Sequence, residues 1–293
     1  MGFDDAYDAL TDHDDDSRWA YGTGFTDPLA GVPADVPDGV SRADLATYAL
    51  MLGDDALILS HRLQQWVTRA PELEDELALA NIALDLLGQA RLLLSRAAAV
   101  AGTGSEDTLA FGRSAAEFHH VRLVERADAD FAQLVGRLLV FATWRLALLD
   151  RLTASRDPVL AAVAAKGVKE VTYHRDYAAQ WVVRLGDGTA VSRERMVAAV
   201  STLRPFLGEL FVAGEVESRL GAGGVAVDPG EVLAECRAVF RQVLAAATLD
   251  PDGLDPGDGD PGGTGRDGGE RADLVAILEE MQGFARSVPG GVW

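Results

Sequence analysis

Residues 43–102 read ADLATYALMLGDDALILSHRLQQWVTRAPELEDELALANIALDLLGQARLLLSRAAAVAG. Apolar residues recur there at three- and four-residue spacing, the period of an amphipathic helix. The pattern stops before Pro71, resumes at once, and closes at Gly102. A break this short folds the chain back on itself, so the stretch predicts an antiparallel helix pair. Its second member is rich in Ala and Leu, both strong helix formers.

A second pair follows. A third long helix is expected from about residue 129 to 155. "SRDP" then resets the chain, with Asp157 as N-cap and Pro158 at the first helical position. The fourth helix runs to Leu185 and ends at Gly186. Between the pairs lies a long connection, residues 103–130, with only short helical pieces. Two antiparallel pairs joined by one long crossover give a ferritin-like four-helix bundle. Further helices are expected after Ser192, from the "DPGE" cap at Asp228, and over "RADLVAILEEMQGFARSV" near the C-terminus. No stretch alternates with period two. The fold class is therefore all-α, a ferritin-like bundle with extra C-terminal helices. Residues 1–40 are acidic or rich in Gly and Pro and read as a flexible tail. Residues 41–249 form the helical domain. Residues 250–270, rich in Gly and Asp, read as a flexible insert, and residues 271–293 as a terminal helix and tail.

The formal net charge of −20 over 293 residues opposes binding to nucleic acid or to anionic lipid. The run "FAQLVGRLLVFATWRLALL" is long enough to span a bilayer, but it carries Arg137 and Arg145. Each would cost roughly 2.5–3.5 kcal/mol at a membrane centre, so a buried bundle helix is expected instead. The N-terminus lacks the basic and apolar regions of a secretory signal, and the expected location is the cytoplasm. The single cysteine, Cys236, excludes an intrachain disulfide and reads as a small core residue.

"KGVKEVTYHRDY", residues 166–177, places Glu170 and His174 one turn apart on the fourth helix. Di-iron bundles take one carboxylate from each of two helices and a Glu-x-x-His from each of the other two. Here the spacing is one residue longer, with Tyr173 at the histidine's place. From Leu77 to Ser105 the second helix offers only Asp85 as a carboxylate, with Gly88 three residues on, and no histidine. The third has no Asp, Glu or His between Phe131 and Leu149, and Arg145 brings a positive charge to the stretch expected to face Glu170. The first has Asp54, Asp55 and His61. The ligand inventory thus fails on the second and third helices. Asn81, Asp85 and Gln89 share one face of the second helix, as do Glu170 and His174 on the fourth. With Arg145 as the partner that a buried carboxylate needs, these six residues are expected to form a metal-free polar centre. Neither catalytic nor cofactor-binding residues are expected in this chain. His119 and His120 are placed in a polar connection, and Lys166 and Lys169 on a solvated helix face.

"YALMLGDDALILSHRLQQWVTRAPELEDELALANIALDLLGQAR", "EDTLAF", "SRDP" and "KEVTYH" together resemble the C subunits of bacterial phenylacetyl-CoA 1,2-epoxidases. The resemblance runs from about residue 41 to 211 and resumes at "GVAVDP" and at the C-terminal "VPGGVW". It implies a ferritin-like structural subunit of a ring-oxygenase complex in phenylacetate degradation. In such complexes the di-iron centre belongs to a sister A subunit, a small B subunit accompanies it, and a reductase supplies electrons from NADPH through FAD and an iron–sulfur cluster. None of those cofactors is implied for this chain. Two other readings stay open at this point: an autonomous di-iron oxidase or oxygenase with altered ligands, and a helical interaction protein outside aromatic metabolism. The second helix is apolar over most of its circumference, so another subunit is expected to cover part of it. Trp293 suits the same role, or belongs to a frayed end.

Overall fold

A computed structural model describes residues 29–256 and 263–288. The described residues form α-helices and short 3₁₀ and π turns, with no strand among them. In chain order the helices are α1 (Arg42–Gln64), α2 (Leu73–Ala101), α3 (Arg122–Glu125), α4 (Phe131–Leu152), α5 (Pro158–Gly186), α6 (Ala190–Leu203), α7 (Glu215–Ala222), α8 (Leu233–Ala246) and α9 (Ala272–Ser287). The long ones, α1, α2, α4 and α5, are the bundle.

Local chemistry sets their ends. The side chains of Ser41, Asp130 and Asp157 accept the backbone N–H three residues on, at the starts of α1, α4 and α5. Each satisfies one of the donors a helix start leaves unpaired. Gly102 ends α2 in the left-handed conformation, with φ 75°. Asp157 has a second role, because it also pairs with the buried Arg96 of α2 and so fixes the α5 start against that helix. α2 and α5 run antiparallel: Asp75 accepts from Tyr177 and Trp181 at one end, and Gln89 reaches Glu170 further along.

α4 is the central rod. Leu134, Val135, Leu138, Leu139 and Phe141 on its different sides are all at most 1% exposed. Its two arginines lie inside. Arg137 donates to the carbonyls of Val124 (3.1 Å) and Arg126 (2.7 Å) and pairs with Asp128. α2 and α4 are both long and apolar enough to cross a bilayer, but α4 is enclosed by protein while about half of the corresponding α2 stretch is not.

Two segments read as flexible from composition are docked where they are described. Leu29, Val32, Val36 and Val40 pack against the core, and Arg96 and Arg156 donate to the carbonyls of Asp35 and Asp38. The tail assignment is thus corrected for residues 29–40, and residues 1–28 lie outside the described residues. In the Gly/Asp-rich stretch, Leu254 is buried and Asp255 accepts from Arg237 at 2.9 Å. Residues 263–271 then form a strap across the crossover. A side chain on Gly265 would collide with the carbonyl oxygen of His120, so the close approach requires glycine. The strap is held by backbone and charge contacts, which a count of apolar residues does not register.

Candidate functional site

Buried polar side chains of α1, α2, α4 and α5 meet inside the bundle, with a membership and wiring that differ from the sequence reading. Arg145 on α4 is fully buried. Its Nη2 donates to Gln89 Oε1 of α2 at 3.4 Å, and its Nη1 lies 4.0 Å from Asp55 Oδ2 of α1. Gln89 donates in turn to Glu170 Oε2 of α5 at 3.0 Å, and Lys166 closes the far side of that carboxylate. Gly167 permits this arrangement: a Cβ there would stand 2.8 Å from Leu149 and 3.4 Å from the Gln89 amide.

Three corrections follow. Asn81 is exposed and stands outside the centre. Asp85 pairs with His174, Oδ2 to Nε2 at 3.0 Å, rather than with Arg145, and its side chain is 37% exposed. The carboxylate facing Arg145 is Asp55, a residue outside the six. Of the six, Gln89, Arg145 and Glu170 are linked directly, and Asp85 with His174 forms a separate pair at the edge.

Asp55 is the hub. It is 0% exposed and accepts from Arg266 of the strap at 3.0 and 2.8 Å and from the Val121 N–H at 2.8 Å. Arg266 also donates to the carbonyls of Met51 and His119. Burial lowers the Arg266 pKa, but Asp55 together with Glu217 and Glu209 outweighs it and holds the guanidinium above its ordinary value. Arg145, with the weaker pairing, is lowered by burial to about 10, and so remains a cation at neutral pH. Asp54 beside it, equally buried, forms a two-pronged pair with Arg113 and accepts the His119 N–H at 2.9 Å. Two adjacent aspartates of α1 therefore pin the crossover through its backbone. His120, expected in a polar connection, is fully buried there, at 2.6 Å from Glu125, which also accepts from Arg271.

The sequence signal for this hub is the Asp54–Asp55 doublet inside an otherwise apolar helix. Its partners Arg113 and Arg266 carry none, since each sits in a segment without periodicity.

The donor set does not fit a di-iron centre. Among the described residues no three His, Cys, Asp or Glu side chains are grouped to hold a metal ion. A guanidinium stands at the middle of the bundle, where bridging carboxylates would be required. Each carboxylate there is already engaged by a cation or an amide. Chemically the centre is a charge network that ties α1, α2, α4, α5 and the strap together, with Nε and Nη1 of Arg145 left without a hydrogen-bond partner in the protein.

Comparison with known proteins places these features in a context. Residues 31–293 match the family described as phenylacetic acid catabolic protein. The chain is 44% identical over 249 residues to the C subunit of the 1,2-phenylacetyl-CoA epoxidase of Escherichia coli (strain K12), covering 85% of this chain and 99% of that protein.

Proposed function

This chain belongs to the phenylacetic acid catabolic protein family, and on that premise we propose that it is the non-catalytic, structural subunit of a multicomponent di-iron monooxygenase that epoxidises the aromatic ring of phenylacetyl-CoA. In this reading it supports a catalytic A subunit, which holds the iron, together with a small B subunit. A separate reductase delivers electrons from NADPH through FAD and an iron–sulfur cluster. The assembly works in the cytoplasm on phenylacetate degradation.

The observation that carries the non-catalytic role is Arg145. A buried cation paired to Asp55 and Gln89 occupies the part of the bundle where a di-iron protein needs anionic ligands.

The partnership is supported by α2. Leu73, Leu77 and Leu84 are 66%, 58% and 61% exposed, and Leu87 continues the row. With Ala80 they succeed one another at alternating steps of four and three, the seam of a helix that packs against another helix. Rows of exposed leucine of this kind mark interaction surfaces. The proposed occupant is the A subunit, across an interface above about 1,000 Å² in all.

Co-expression with the neighbouring oxygenase genes, followed by size-exclusion chromatography, tests the reading. A single peak containing both chains, with epoxidation of phenylacetyl-CoA only when both are present, is the expected result. Two separate peaks at micromolar concentration would refute the structural role.

A further inference from the structure

A small cavity lies to one side of the charge network, where α1, α4, α7, the 3₁₀ turn Gly208–Phe211 and the strap meet. Tyr48, Trp144, Glu209, Glu217 and Arg266 are among its lining residues, and its volume is about 10 Å³. That is room for one water-sized sphere and nothing larger.

Two of the lining groups are complementary and incomplete. Glu209 is 5% exposed. Its Oε2 accepts from Arg122 at 3.2 Å and from the Gly265 N–H at 3.1 Å. Its Oε1 is buried and has no hydrogen-bond partner in the protein. Tyr48 is 3% exposed, and its hydroxyl oxygen accepts the Val227 N–H at 3.4 Å. Burial pushes the phenol up to about 12, so it keeps its proton. No acceptor for that proton is found among the described residues. Tyr48 thus carries a donor without an acceptor and Glu209 an acceptor without a donor, and both residues line the cavity. Leaving either unpaired in the interior opposes folding.

We propose that this cavity is a binding site for a single ordered water molecule, which accepts the Tyr48 proton and donates to Glu209 Oε1. A water needs two to four polar partners to stay in a protein interior. Tyr48 and Glu209 supply two of opposite sense, and Glu217, 7% exposed, lines the same space. The water joins α1 to the 208–211 turn without any direct contact between the two side chains. It is an element of the fold and is independent of whether the chain assembles with a partner.

A crystal structure of the chain at high resolution is the direct test. One density peak is expected within about 2.6–3.2 Å of both Tyr48 Oη and Glu209 Oε1. The peak should vanish or weaken in Tyr48→Phe, a substitution that keeps the ring and its packing. Absence of the peak, or a direct Tyr48–Glu209 hydrogen bond, overturns the proposal. So does a peak ringed by six or more oxygens at about 2.4 Å, which would be a cation. Thermal melting gives a second readout. If one water couples the two groups, the Tm shifts of Tyr48→Phe and Glu209→Gln will fail to add in the double variant, and simple additivity overturns the proposal.

Discussion

Replacing Asp55 with alanine should be the most damaging single change in the bundle centre. The carboxylate is 0% exposed and is the counter-charge for Arg266 at 2.8 Å and for Arg145 at 4.0 Å. Removing it leaves two guanidinium ions inside the protein. Breaking a buried pair from one side costs about 3–5 kcal/mol. The Val121 N–H loses its acceptor as well, which adds about 1–3 kcal/mol. The two terms overlap where water enters the space, so about 5 kcal/mol is expected, a large share of the roughly 5–15 kcal/mol that holds a folded protein. For a chain of this size that is a fall in Tm of about 10–20 °C. Asp85→Ala is the internal control. Its side chain is 37% exposed, so water can take its place at the buried ring of His174, and the loss expected is that of one hydrogen bond, about 1 kcal/mol. Circular dichroism melts and urea titrations of both variants decide the point. Asp55→Ala melting within about 4 °C of the parent would refute the hub assignment. So would an equal loss for Asp85→Ala, because the sequence alone points to that residue as the buried carboxylate.

Leu77→Glu combined with Leu84→Glu should leave the far-ultraviolet spectrum and Tm of the isolated chain unchanged while abolishing co-elution with the A subunit; retention of the complex would move the interface off α2. Metal analysis of the purified chain should find no stoichiometric iron, and about two irons per chain would restore the oxidase reading. Gly265→Ala should lower Tm, since its Cβ meets the His120 carbonyl and the strap must lift to relieve it; an unchanged Tm would show the strap to be loosely held. Burial pushes the Glu125 carboxyl up, but hydrogen bonds from His120 and Arg271 outweigh this and hold it below its ordinary 4.5. A carboxylate depressed in the folded state contributes stability above its unfolded pKa and loses it as pH falls through the folded one. The urea midpoint should therefore drop below pH 4.5, and less steeply in Glu125→Gln; identical slopes would remove Glu125 from the cause.

The features legible in the sequence are those encoded within a few residues. Asp157, Pro158 and Gly102 mark helix ends by their own side chains or backbone freedom, and the structure uses each of them so. Glu170 and His174 do share one face, because a four-residue step turns a helix by only about 40°. The same arithmetic misplaces Asn81. Two such steps separate it from Gln89, and the accumulated rotation of about 80° carries it out to solvent. The partner of Arg145 is not legible, because charge pairing in a core depends on which helices are neighbours. Arg266 is least legible of all. It lies 211 residues from Asp55, in a stretch whose composition reads as linker, yet its guanidinium is anchored at four oxygen atoms.

That separation has a consequence for synthesis. α1 leaves the ribosome with Asp55 long before its counter-ion exists. At about 5–20 residues per second, the intervening 211 residues take on the order of 10–40 s to translate. Through that interval the bundle can collapse around its leucines with only Arg145, at 4.0 Å, facing Asp55, so the last step of folding waits for the strap. A nascent chain stalled before residue 266 carries Asp55 without the clamp that the strap supplies.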